Sequence, residues 1–173
     1  MATYTLGPED GVLSVRTSRT GAVAKAGHDL LIAVTEWSAT VDTGDAPSLC
    51  LDVDATSLRV REGTGGMKPL DEDDLANIER TIDDEVLLRR DVRFRSTRVD
   101  MDGDRLRVQG DLTLVGTTRP IDFELTLHDG RIRGEAVVRQ TEWQMKPYRA
   151  LFGALKVADE VRVEVDAALP RSR

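Results

Sequence analysis

Apolar side chains recur at every second position over most of this chain, the spacing that puts alternate residues on opposite faces of a β-strand. Leu49, Leu51, Val53 and Ala55 alternate with Cys50, Asp52 and Asp54, and Phe94 stands between Arg93 and Arg95. Leu106, Val108, Gly110, Leu112 and Leu114 alternate with Arg105, Arg107, Gln109, Asp111 and Thr113. Ile121, Phe123, Leu125 and Leu127 alternate with Asp122, Glu124 and Thr126. The same holds for Ile132, Gly134, Ala136 and Val138, and for Val161, Val163, Val165 and Ala167 against Arg162, Glu164 and Asp166. Residues 12–17 and 30–41 read as two earlier strands, the second with a mid-strand bulge. Asp102-Gly103-Asp104, Gly116-Thr117 and Asp129-Gly130 supply hairpin turns between the later strands.

One segment departs from this period. In residues 71–88, Leu75, Ile78, Ile82 and Val86 have helical spacing, and the acids from Asp71 to Asp74 suit a helix N-terminus. Residues 61–70 before it read as a Gly-rich loop. Residues 146–159, with Pro147 and Gly153, read as irregular with room for a helical turn.

Strands with one apolar and one charged face cannot be buried on both sides, which excludes a parallel α/β sheet. An antiparallel sheet closed on itself buries one face and removes the edges that invite aggregation. The predicted fold is therefore all-β: a single domain over residues 1–173, an antiparallel up-and-down barrel of about eight strands with one helix packed on it. Leu112, Leu114, Phe123, Leu125, Val163 and Val165 should point inward, and Arg107, Asp111, Glu124 and Arg162 outward. Gly110, Gly134 and Ala136 fall on the inward face, where they either leave volume or match bulky neighbours.

Charge and composition narrow the function. With 24 Lys+Arg against 31 Asp+Glu, the net charge of −7 argues against a nucleic-acid partner. One cysteine, Cys50, and two histidines, His28 and His128, supply neither a disulfide nor a structural metal site, and no cofactor is expected. No apolar run is long enough for a transmembrane helix, and residues 1–10 lack the basic and apolar regions of a secretory signal, so the expected location is cytoplasmic. Gly63 to Lys68 lacks phosphate-loop spacing and reads as a surface loop. The pair His28-Asp29, with Lys146, is the nearest approach to a general-base arrangement, but no Ser or Cys nucleophile joins it. A small enzyme acting on an apolar substrate through these residues is the weaker alternative. In a chain with 4% aromatic residues, Trp143, Met145, Tyr148, Leu151 and Phe152 cluster within ten positions, with Lys146 and Arg149 among them. That cluster fits a plug closing one barrel end or the mouth of an apolar pocket.

Four stretches carry a family likeness: Tyr4-Thr5-Leu6; Val92-Arg-Phe-Arg-Ser-Thr97; Gly110-Asp-Leu-Thr-Leu-Val-Gly-Thr-Thr-Arg-Pro120; and Lys156-Val-Ala-Asp-Glu-Val161. With these, the chain resembles the YceI-like family over nearly its whole length, although it has Lys25-Ala-Gly-His-Asp-Leu30 where that family often shows an extended amphipathic strand pair. The resemblance implies a lipocalin-like antiparallel barrel with a helix laid against it and a polyisoprenoid-type ligand inside. Joined to the alternation, it predicts a binding or carrier protein, not an enzyme, whose partner is an isoprenoid or other long-chain lipid. The cavity would be lined by Ile32, Phe94, Leu112, Leu114, Phe123 and Val138, with Trp143, Met145, Tyr148 and Phe152 near its mouth. A homodimer is compatible with this reading. A ligand-free structural or stress-related barrel is its bland counterpart.

Overall fold

In the computed structural model, which describes residues 2–22, 27–66, 68–150 and 155–170, the alternating segments pair antiparallel in one rolled sheet. Its strands are β1 (Thr3–Leu6), β2 (Gly11–Thr17), β4 (Asp29–Val34), β5 (Trp37–Asp42), β6 (Ser48–Val53), β7 (Leu58–Thr64), β8 (Val92–Asp102), β9 (Arg105–Leu114), β10 (Thr117–His128), β11 (Arg131–Arg139) and β14 (Glu160–Ala168). Their order across the sheet is β1-β5-β6-β8-β9-β10-β11-β14-β2-β4-β7. Three short strands, β3 (Arg19–Thr20), β12 (Arg149–Ala150) and β13 (Leu155–Val157), form a separate small sheet.

The main sheet thus has eleven strands where the alternation predicted about eight. The difference lies in three interruptions of long strands. β1 and β2 both lie along one side of β4–β5, pairing Leu6 with Ala39 and Leu13 with Val34. β6 and β7 lie along its other side, pairing Trp37 with Val53 and Val34 with Leu58. Across the break at Thr35 and Glu36 the ladder hardly lapses: Thr35 N–H donates to the Ser57 carbonyl at 2.9 Å, and Asp54 N–H to the Glu36 carbonyl at 3.1 Å. Read as continuous bent strands, β1–β2, β4–β5 and β6–β7 join β8, β9, β10, β11 and β14 in a ring, because β14 pairs with β2 and β6 with β8. A small barrel demands steep strand tilt and strong bending, and strands of this length meet that demand by breaking. A shift in register at Leu31/Ile32 adds a bulge within the same long strand.

Inside and outside follow the alternation. Leu112, Leu114 and Leu125 are buried, and Phe123, Val163 and Val165 are half-buried on the inner face. Arg107, Asp111, Glu124 and Arg162 are exposed. The hairpin between β10 and β11 turns at Asp129 (φ 49°) and Gly130 (φ 71°), both left-handed, which matches the twist of the strands it joins.

Asp71 caps the helix α1 (Glu72–Thr81): its carboxylate accepts from Asp74 N–H while the Asp74 carboxylate accepts from Asp71 N–H. The helix runs on as a π-helical turn, Ile82–Val86. Leu75, Ile78, Ile82 and Val86 pack half-buried against the core. Glu79 accepts a hydrogen bond from Val60 N–H at 3.1 Å, so α1 satisfies the edge of β7 that no described strand covers.

One local expectation needs correction. β7 continues to Thr64, so the Gly-rich loop starts after the strand and not at residue 61. A 3-10 turn at Gln140–Trp143 precedes the stretch read as irregular, and there the Asp159 carboxylate holds Thr141 through its N–H (2.8 Å) and hydroxyl (2.6 Å). Residues 151–154 of that stretch lie outside the described residues.

Ile82 sits on the face of the helix that meets the barrel. Ile82→Asp should lower the melting temperature by several degrees in calorimetry, since it places an unpaired charge against apolar wall. An unchanged melting temperature would show that this face does not hold the helix.

Candidate ligand cavity

The inner faces of β1, β2, β5, β6, β8–β11 and β14 leave a cavity of about 130 Å³. Leu6, Val41, Leu49 and Leu51 wall one side of it, Phe94, Leu112, Ile121 and Phe123 another, and Ile132, Ala136, Val138 and Val163 a third. Several of these residues are only half-buried although they face inward, because the cavity leaves them without neighbours on one side. The Phe94 and Phe123 rings meet in a tilted pair, centroids 5.3 Å apart.

The polar residues bordering the cavity are Trp37, Glu135 and Glu164. Both glutamates stand on the outward register of their strands, and Glu164 accepts from Arg16 Nε at 2.9 and 3.0 Å. Among the described residues, no lysine or arginine lines the cavity. An apolar void of about 150 Å³ stays dry and takes up a molecule the size of benzene, so this one matches a single ring or a five-carbon unit.

Of the side chains predicted for the site, Phe94, Leu112, Phe123 and Val138 line the cavity. Ile32, Leu114, Trp143 and Met145 are buried but do not line it. Trp143 does not stand at a mouth: it is 2% exposed, and its Nε1–H donates to the Leu112 carbonyl at 2.8 Å, which locks the 3-10 turn onto β9. Tyr148 is 42% exposed. Phe152 lies outside the described residues.

The small inward residues have different roles. Gly110 leaves no free volume, since a Cβ there would lie 2.5 Å from both Phe94 Cζ and the Arg95 carbonyl oxygen. The Phe94 ring uses the room that Gly110 provides. At Gly134 a Cβ would meet Leu125 Cδ2 at 2.5 Å. Ala136 is the small side chain that opens onto the cavity. Trp37 is absent from the predicted set, although its position two residues before Ala39 and four before Val41 puts it on the inward register.

The His28-Asp29-Lys146 arrangement does not assemble as a general base. Asp29 accepts from Arg19 N–H at 2.8 Å, and His28 Nε2 bonds the Lys68 carbonyl at 2.9 Å. Gly66, at φ 74°, leaves room for the His28 ring. Lys146 is exposed, beyond the 3-10 turn. His128 lies on the β10–β11 hairpin with both ring nitrogens on carboxylates: Nδ1 on Asp104 at 2.8 Å and Nε2 on Asp129 at 3.2 Å. The bond to Asp104 and the two negative charges raise its pKa above the usual histidine value.

The YceI-like domain family matches residues 14–169. Among solved structures, BcnA of Burkholderia cenocepacia superposes with a TM-score of 0.65 at 14% identity, covering 92% of this chain and 96% of its own. Two cysteine variants of the Campylobacter jejuni YceI protein are also similar. One, prepared for nanotechnology applications, has a TM-score of 0.60 at 10% identity, covering 82% of this chain and 85% of its own. The other, which carries a monobromobimane guest, has a TM-score of 0.58 at 11% identity, covering 81% and 85%. None of the curated proteins matches the chain. At these identities the likeness concerns the fold, a lipocalin-like barrel.

Two outcomes test this geometry. Gly110→Ala should destabilise the fold in urea titration by about 1–3 kcal/mol, because Phe94 and the Arg95 carbonyl must give way; an unchanged midpoint would mean the ring is free to move. In an NMR titration His128 should have a midpoint above the usual histidine value, returning toward it in Asp104→Asn. The sign follows from the raised pKa: the pair stabilises the hairpin at low pH and ceases to do so as pH rises through the histidine's folded-state value.

Proposed function

The chain belongs to the YceI-like family, and from that premise we propose that it is a binding protein for an isoprenoid or similar apolar molecule held inside the barrel, not an enzyme. The observation that carries this reading is the cavity itself: a void walled almost wholly by apolar side chains, with Glu135 and Glu164 only at its border. Proteins normally fill such space, because each lining atom without a neighbour forfeits dispersion contacts. A retained void among Phe94, Phe123, Ala136 and Val163 has the character of a site.

Magnitudes bound what it holds. Burying a methylene contributes roughly 0.8 kcal/mol, so a five-carbon unit filling the present cavity contributes about 4 kcal/mol at most. That corresponds to a dissociation constant of about 1 mM. A longer chain binds more tightly only by parting the half-buried residues around the void, Leu49, Leu51, Ile121 and Val165, so the ligand is either short or seated by one segment.

The proposed location is the cytoplasm, tested by fractionating the host. Among the described residues no helix is long and apolar enough to cross a membrane.

Ala136→Phe separates a binding cavity from a tolerated packing defect. Its ring should occupy the void, so the variant should keep the wild-type melting temperature to within a few degrees and lose binding of a short prenyl alcohol in native mass spectrometry. If the wild type binds no such probe and carries no lipid when purified from its host, the carrier reading fails.

A further inference from the structure

Resting on the reading of the cavity as a binding site, we propose that its doorway is a slot in the barrel wall between β10 and β11, through which an extended apolar chain threads sideways. A ligand longer than the void then seats one end inside and leaves the rest passing out between the two strands.

β10 and β11 pair only from Glu124↔Glu135 to His128↔Arg131. Continued at the same register, the ladder would set Phe123 opposite Ala136, Asp122 opposite Val137 and Ile121 opposite Val138, yet none of these pairs forms. Both strands run on regardless, β10 back to Thr117 and β11 forward to Arg139. Each stays paired on its other flank, β10 with β9 from Thr117 and β11 with β14 as far as Arg139, so neither is frayed. The sequence marks the gap at Pro120. Leu127 N–H donates to the Asp104 carbonyl on the β9 side, so the even-numbered residues of β10 turn their backbone groups toward β11. Pro120 falls on that side and has no N–H to give, and sheets confine proline to unpaired edges.

The slot leads to the void. Ile121 and Phe123 on one bank and Ala136 and Val138 on the other all line the cavity, and Glu135, where the pairing ends, borders it. On the outer face Asp122 and Val137 are exposed. Both ends of the slot are tied. The ladder holds one end. At the other, Trp143, on the turn that follows β11, reaches past β10 to the Leu112 carbonyl of β9. Between these ties, Ala136 to Arg139 cover about 13 Å of strand. Backbone groups without a ladder partner turn to water, so the outer rim is hydrated while the side chains facing inward are apolar. An apolar tail passes inward through such an opening and a polar head group stays outside.

Two staples test the doorway, both built on Cys50→Ser so that no other thiol competes. Asp122→Cys with Val137→Cys, bridged by a short bis-methanethiosulfonate, bars the slot. Thr126→Cys with Arg133→Cys, bridged the same way, ties the same two strands where they already pair. Prenol fits within the void, and geraniol is about twice as long. In NMR line-shape analysis the slot staple should slow both association and dissociation of prenol about tenfold or more and leave its Kd within about twofold, because a doorway acts on both rates alike. Geraniol should also lose affinity, about fivefold or more, since its outer half no longer has a path. Reduction should restore both, and the control staple should change neither. If the slot staple leaves the rates as they are, or the control slows them equally, the doorway is overturned and the cavity remains a site. If neither alcohol binds the wild type, the doorway falls with the reading on which it rests. The wild type supplies a check that needs no variant: Asp122 and Val137 N–H should exchange with deuterium at least about tenfold faster than Thr126 and Arg133 N–H. Equal protection would mean that the strands are zipped shut, and would overturn the doorway.

Discussion

The wall of this barrel closes through one strand. The segment from Asp29 to Asp42 is paired along both sides over almost its whole length, with β1 and β2 on one flank and β6 and β7 on the other. At Thr35 and Glu36 it bends, and the bonds to Ser57 and from Asp54 carry the ladder across. Remove that continuity and the two ends of the sheet have nothing to join them. The cavity exists because the bend lets a wall of long strands curve around a void. The residue that follows the bend is Trp37, whose large side chain is buried and borders the cavity.

The alternation of side chains is legible because its period is two residues and needs no knowledge of neighbours. It places Leu112, Leu125 and Val163 inside and Arg107, Glu124 and Arg162 outside, as the structure has them. The helix is legible for the same reason: Leu75, Ile78, Ile82 and Val86 repeat locally. What depends on pairing partners is not. Whether Gly110 leaves volume or matches a bulky neighbour is decided only by the register, which sets Ser96 opposite it and brings the Phe94 ring over it. The strand breaks are equally hidden, because a barrel's curvature is a property of the closed ring and not of any one segment. Trp37 is hard to see because it lies just past the bend, where the count of alternate positions restarts. Density alone groups the aromatic residues at 143–152, and density does not say that Trp143 spends its indole N–H on the Leu112 carbonyl.

Interior space is divided unevenly as a result. Where the helix meets β7, Leu58, Val60 and Leu87 are closely packed, and Glu79 ties the helix to the strand edge. The apolar side chains that remain partly uncovered, Leu49, Leu51, Ile121, Phe123, Val163 and Val165, line the cavity instead. These side chains pack on the core from one side and face the void on the other.

The pairing of β2 with β14 sets a condition on how the molecule can be made. Arg16 and Glu164, 148 positions apart in the chain, face each other across the last seam of the ring. A ribosome releases the N-terminal strands long before it has built their final partner. Until residue 168 has emerged, β2 and β11 each offer a bare edge to any neighbouring chain, and contacts this distant in sequence form slowly. Synthesis therefore carries an interval in which the nascent protein is an open sheet, and its vulnerability to aggregation or to a holding chaperone is concentrated there, before the circle is complete.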